Sequence, residues 1–212
     1  MIKLDPKIEE YIRHISDKED EILHELFRET HLKIINPRMV SGYLQGKLLE
    51  TFSKMKRPDQ ILEIGTFTGY SAICLAKGLK EGGLLHTIEI NEELAGFPDR
   101  FVRKLNMQGK IKFYIGDALG LIDGINENFD LVFIDGDKKQ YTAYYKKVIE
   151  KVKTGGYILV DNVLWDGKVV NERPDDSYTK GIMDFNNYIK GDTRVEKYIL
   201  PIRDGLMIIR KI

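Results

Sequence analysis

Cysteine is nearly absent: the 212-residue chain has one, Cys74. No internal disulfide can form, and a lone Cys inside the apolar-rich stretch SAICLA reads as a small buried hydrophobe rather than a catalytic thiol. Net charge is missing as well, because Lys plus Arg (33) balance Asp plus Glu (33). That balance removes the global basic field that drives non-specific nucleic-acid binding, while leaving room for a local basic patch. Nowhere is there an apolar run long enough to span a bilayer, and the charged opening MIKLDPKIEEYIRHISDKEDE lacks the apolar core of a signal peptide. A cytoplasmic protein without a membrane partner is the expectation. Linkers, internal repeats and low-complexity stretches are also lacking, so residues 1–212 are expected to form one domain, with 1–57 as a helical N-terminal extension packed on it.

What is present is a series of short β-type runs: QILEIG, GLLHTIEI, IKFYIGDA, FDLVFIDG, GGYILVDN, VEKYILPI and GLMIIRKI. Most are nearly continuous in apolar residues, as strands covered on both faces should be. Helical spacing separates the first five, for example Tyr141, Tyr145, Val148 and Val152 at i, i+4, i+7 and i+11. Strand followed by helix, repeated, predicts a doubly wound, mostly parallel α/β sheet. Only Arg203 and Asp204 separate the last two runs, too few residues for a parallel crossover, so the final strand is expected to be antiparallel. In the N-terminal extension, Leu44, Leu48, Phe52 and Met55 mark one apolar stripe and Ile8, Ile12 and Ile15 another. These helices are expected to cap the sheet or reach a partner subunit. The polar loop NERPDDSYTKG (171–181) is placed at the border of a pocket.

The first strand runs into EIGTFTGYSA, with Gly65 and Gly69 at the strand-to-helix turn. In doubly wound sheets ligands bind beyond the carboxyl ends of the strands, where glycine lets backbone and ligand approach. The pattern is not G-x-G-x-x-G, because Phe67 stands where a dinucleotide site has its middle glycine, which counts against an NAD-dependent oxidoreductase. Glu89 ends the second strand, where an acidic side chain can accept both hydroxyls of a ribose. Asp117 and Ala118 end the third, where an adenine can lie. Each has a plainer account, Glu89 as a solvated strand end and Asp117 as a helix N-cap. Together they favour a nucleoside cofactor.

Asp135 ends the fourth strand, and Asp161 and Asn162 end the fifth. Neighbouring strands lie about 5 Å apart, so two carboxylates and an amide oxygen can converge there as a site for a hard cation. The plainer alternative is a pair of solvated turns, since DG and DN are common turn dipeptides. Lys138 follows Asp135 by three residues. It is either a surface lysine, as Lys139 is expected to be, or a general base driven toward neutrality by a nearby cation.

In order and spacing, LEIGTFTGYS, IEIN, GDAL, FDLVFIDGDKKQY, GGYILVDNVLWDG and LPIRDGL resemble the metal-dependent O-methyltransferases of the caffeoyl-CoA and catechol O-methyltransferase family, which use S-adenosylmethionine. The resemblance runs from about Met39 to Ile212. It implies the class I methyltransferase fold, a Rossmann-like seven-stranded sheet with a reversed last strand. By that resemblance Asp135, Asp161 and Asn162 would hold a divalent cation, Mg²⁺ or else Mn²⁺ or Ca²⁺, and Lys138 would be the base. Ser41, Glu63, Gly65, Thr66, Ser71 and Asp135 would line the S-adenosylmethionine site, Glu89 would take its ribose and Ala118 would lie near its adenine. Trp165 would be an aromatic of the acceptor pocket, and the protein would be a homodimer acting on a catechol-like small molecule. A hydroxyuridine in tRNA is the rival acceptor, and a non-enzymatic cofactor-binding protein is a third reading. The chain departs from the family pattern at Gln45, which precedes Gly46 where an acidic residue is common, and at Pro98, which should interrupt or start a helical turn.

Overall fold

The computed structural model describes residues 5–171 and 175–212. Its strands are β1 (Gln60–Ile64), β2 (Leu84–Glu89), β3 (Ile111–Ile115), β4 (Phe129–Ile134), β5 (Val152–Val160), β6 (Val195–Leu200) and β7 (Leu206–Lys211). They form one seven-stranded sheet in the order β3-β2-β1-β4-β5-β7-β6. The first five run parallel, and β7 lies antiparallel between β5 and β6. This is the α/β class I methyltransferase sheet, and the terminal hairpin is where the short Arg203-Asp204 connection demanded it.

Side chains alternate across the sheet with the period of two that a strand imposes. Leu62, Ile64, Val132, Ile134, Ile158 and Val160 face one layer, built from α6 (Ala118–Gly124), α7 (Tyr141–Lys151) and α8 (Ser177–Gly191). Ile61, Leu131, Phe133 and Leu159 face the other, built from α2 (Glu21–Lys33), α3 (Gly42–Lys56), α4 (Tyr70–Ala76) and α5 (Asp99–Lys104). Cys74 is buried on α4, in the second layer. Pro98 does not break a helix; it stands at the N-cap of α5.

Three details differ from the sequence reading. Val152 does not close the α7 stripe, because the backbone turns extended there (φ −81°, ψ 131°) and Val152 opens β5 opposite Phe129. On α3 the inward face is Tyr43, Gly46, Leu49 and Ser53, whereas Leu44, Leu48 and Phe52 are half-buried and Met55 is 78% exposed. The reason is close helix approach: a Cβ on Gly46 would lie 2.5 Å from the Tyr70 ring, so small residues, not the most apolar ones, form the contact with α4. Finally, α1 (Pro6–Ile15) buries none of its residues and does not cap the sheet; Ile8, Tyr11 and Ile15 are exposed. Of the loop 171–181, residues 172–174 lie outside the described residues, while 177–181 form the first turns of α8.

Candidate active site

At the end of β1 the chain must turn while passing against the tip of β4. Gly65 does this at φ +103°, and any Cβ there would sit 2.5 Å from the Asp135 carbonyl oxygen. The Gly65 N–H remains paired with the Ile88 carbonyl at 2.9 Å, so the turn is tied to β2. Phe67, the residue standing for the missing middle glycine, takes the left-handed conformation itself at φ 48°. Its N–H donates to Glu89 Oε2 at 2.7 Å, and the Asn91 N–H donates to Oε1 at 2.9 Å. Glu89 thus clamps the glycine turn to the tip of β2.

Ser41, Gly65, Thr66, Ser71 and Asp135 line a single cleft, together with Met39, Val40, Phe67, Thr68 and Tyr70. Beneath it lies Glu63, 0% exposed. The Thr87 hydroxyl donates to its Oε2 at 2.5 Å, while Oε1 has no hydrogen-bond partner among the described residues. Burial pushes the Glu63 carboxyl up to about 8; the Ser71 and Thr87 hydroxyls pull it down, and the Asp135 and Glu89 charges push it further up. Oε1 meets no donor in good hydrogen-bond geometry, although the Ser71 hydroxyl is close enough to favour the charged carboxylate, and a buried acid placed so fits an ammonium-bearing ligand. Ala118, the first residue of α6, is buried and does not line this cleft, and the Asp117 side chain before it accepts the Leu119 N–H at 3.2 Å. The helix N-cap account of Asp117 holds.

The second cluster stands at the tips of β4 and β5. Phe133 is registered with Leu159 and Ile134 with Val160, which carries Asp135 and Asp161 to adjacent positions on the α3 side of the sheet. Asp161 is 4% exposed, and burial together with the Asp135 charge pushes its carboxyl up to about 6, against Gln45, Lys138 and Arg203. Asn162 follows in the left-handed region at φ 59°. Two carboxylates and an amide oxygen form the donor set that hard divalent cations prefer, and the mutual repulsion of the carboxylates is what such an ion relieves. No cluster of three or more His, Cys, Asp or Glu suited to a metal occurs among the described residues.

Lys138 donates to Asp135 Oδ1 at 2.5 Å and is largely shielded from water. Burial favours its neutral form, but Asp135 and Tyr141 outweigh that and hold the ammonium well above the usual lysine range. The neutral Lys138 expected beside a cation is therefore not the form favoured when Asp135 is its partner. Helix α8 pins this segment, since a Cβ on Gly181 would come within 2.7 Å of the Lys138 carbonyl oxygen. Trp165 sits at φ 45°, its ring 6.3 Å from that of Tyr178 on α8 and its buried Nε1 without a partner among the described residues.

Three further residues escaped the sequence reading of the site. Gln45 Nε2 donates to Asp161 Oδ2 at 2.7 Å, and Arg203 donates to both Gln45 Oε1 and the Ser41 carbonyl. Tyr178 is the third. Gln45 was visible only as a departure from the family pattern, and Arg203 only as part of LPIRDGL.

The reversed seven-stranded sheet and the cleft beyond its strand tips are those of the class I methyltransferase fold. Comparison with known proteins narrows the class. The O-methyltransferase family profile matches residues 13–212. Caffeoyl-CoA O-methyltransferase 2 of Populus trichocarpa is 34% identical over 207 residues, covering 92% of this chain and 83% of that protein. Caffeoyl-CoA O-methyltransferase 1 of Eucalyptus globulus is 34% identical over 187 residues, covering 82% and 75%. Among solved structures, the Bacillus cereus O-methyltransferase in complex with SAH superposes with a TM-score of 0.90 at 28% identity, covering 97% of both chains. TomG of Streptomyces achromogenes, an O-methyltransferase of tomaymycin synthesis solved with SAM, gives 0.90 at 26% identity, covering 97% and 96%. The chain belongs to the O-methyltransferase family and is an S-adenosylmethionine-dependent O-methyltransferase.

Proposed function

We propose that the enzyme is divalent-cation dependent and methylates one hydroxyl of a small molecule bearing two adjacent oxygens, a catechol-like acceptor. The observation that carries this reading is the register of β4 and β5, which sets Asp135 and Asp161 side by side with Asn162 next in sequence and Lys138 against Asp135. Asp135, Asp161 and Asn162 would hold the cation, with Mg²⁺ first and Mn²⁺ or Ca²⁺ as alternatives. When bound, the cation would supply an anchor for both acceptor oxygens and acidify the hydroxyl.

The chain's own residues do the rest. Ser41, Gly65, Thr66 and Ser71 bind the methionine end of S-adenosylmethionine, with Glu63 Oε1 accepting from its ammonium group. Glu89 takes the ribose and Ala118 packs near the adenine. Trp165 and Tyr178 hold the acceptor ring in line with the sulfonium. Lys138 Nζ, released from Asp135, would accept the hydroxyl proton, and S-adenosylmethionine when bound would supply the methyl group that the resulting oxyanion takes, with a neutral thioether as the leaving group. Alignment and charge placement account for most of the rate in such a transfer. A homodimer belongs to the same proposal, supported by the uncovered apolar side chains of α1.

The test is transfer of labelled methyl to a catechol-bearing acid, with Mg²⁺ and with excess chelator. Transfer that persists unchanged in chelator refutes cation dependence. An unchanged pH–rate profile in Lys138→Ala removes the lysine from the proton transfer.

A further inference from the structure

Gln45 is a buried polar side chain of α3, 3% exposed, beside the packed residues Tyr43, Gly46 and Leu49. Its amide has two distinguishable ends, and Arg203, which can only donate, fixes which way it points. With Oε1 facing the guanidinium, Nε2 faces Asp161 and donates to Oδ2 at 2.7 Å. That contact sets the rotation of the Asp161 carboxylate and presents Oδ1 on the other side.

Arg203 is itself held. It lies at φ 52° in the turn between β6 and β7. That turn grips the segment just after Asp161 and Asn162, the Val163 N–H pairing with the Gly205 carbonyl at 3.1 Å and the Leu164 N–H with the Asp204 carbonyl at 2.9 Å. From the same position Arg203 reaches the Ser41 carbonyl at the rim of the cofactor cleft. One turn thus ties together the end of β5, the start of α3 and the cleft.

We infer that Gln45 and Arg203 are positioning residues: they fix the orientation of Asp161 as a cation ligand and couple it to the cofactor segment at Ser41. The inference rests on the cation reading above. Groups that orient a metal ligand through a hydrogen bond typically change metal affinity by about 10–100-fold when removed.

The experiment is Mn²⁺ titration by electron paramagnetic resonance and calorimetry on the full chain, for wild type, Asp161→Ala, Gln45→Met and Arg203→Met. Thermal melting without metal monitors folding, and S-adenosylhomocysteine affinity is measured in parallel. Gln45→Met is expected to weaken Mn²⁺ by about 10–100-fold with cofactor affinity nearly unchanged. Arg203→Met should weaken both, because it also releases Ser41. A folded Gln45→Met that binds Mn²⁺ within about twofold of wild type overturns the inference, whatever happens to its melting temperature; if that variant does not fold, the same result for Arg203→Met overturns it. Wild type that takes up no Mn²⁺, or no more than Asp161→Ala, overturns the cation reading and this inference with it.

Discussion

Asp130 and Asp161 stand at opposite ends of adjacent strands and are treated in opposite ways. At the start of β4, Asp130 Oδ2 accepts the N–H groups of Asp59 and Gln60 and the Lys153 ammonium, each at 3.0 Å. Burial pushes its carboxyl up, but those donors more than offset it and the net shift is down. At the end of β5, Asp161 has Asp135 beside it and the Gln45 amide as a donor, and burial with like charge wins. One carboxylate is satisfied by the chain; the other is left in want of positive charge. That contrast separates a structural acid from a candidate cation ligand more sharply than burial does.

The two acids also carry opposite pH linkage. Asp130, with its folded pKa below the unfolded value, contributes stability above about pH 4 that is lost as pH falls through the folded pKa. Asp161, raised to about 6, binds more protons folded than unfolded, so in metal-free protein its contribution is lost as pH rises from about 4 to 6.

The largest expected effect comes from removing the proposed cation ligand. Asp161→Ala should lower methyl transfer by at least about 100-fold while S-adenosylhomocysteine binding stays within a few-fold of wild type, read by labelled transfer and calorimetry. Next is Gly65→Ala, which drives a Cβ into the Asp135 carbonyl. It should cost more than about 2 kcal/mol in denaturant unfolding and abolish cofactor binding, since Gly65 and Asp135 line the same cleft. Asp130→Ala should cost about 1–3 kcal/mol and leave kcat unchanged, which would confirm its purely structural standing.

The smallest effect sharpens the comparison with a third buried group. His86 Nδ1 lies 2.8 Å from the Tyr114 hydroxyl and Nε2 3.1 Å from Gln60 Oε1, an arrangement that a neutral ring satisfies at both nitrogens. Burial lowers its pKa, with Lys112 adding to that and Glu127 opposing. The folded state therefore resists protonation. The stability advantage of wild type over His86→Gln, about 1 kcal/mol or less, should shrink as pH falls from about 7.5 to 5.5 in urea titrations.

Much of this architecture is legible in the chain. Nearly continuous apolar runs marked most of the strands because both faces of the central sheet are covered, whereas the edge strand β6 is largely exposed and carries Glu196 and Lys197; the brief Arg203-Asp204 connection forced the reversal of β7. The strand-tip acids could be located because sheet neighbours share a register, which brings Asp135 beside Asp161 without any knowledge of side-chain packing. The Gln45–Asp161 and Arg203–Gln45 contacts were not legible, because they join segments far apart in sequence through rotamers that only tertiary packing selects. The inward face of α3 was misread for a related reason: a helix pressed against α4 needs small residues at the contact, and hydrophobic periodicity counts large ones. Nor does spacing reveal that Lys138 is charge-paired with Asp135, since position i+3 can equally point to solvent.

The most direct test is the melting temperature of wild type and Asp161→Asn at pH 7, with and without Mg²⁺. Without Mg²⁺, Asn should relieve the buried repulsion and stabilise the fold by roughly 1–3 kcal/mol. Mg²⁺ should raise the melting temperature of wild type and leave the variant where it was. Equal Mg²⁺ shifts in both proteins, or a less stable Asp161→Asn in metal-free buffer, would contradict the account of Asp161 as a carboxylate that waits for a cation.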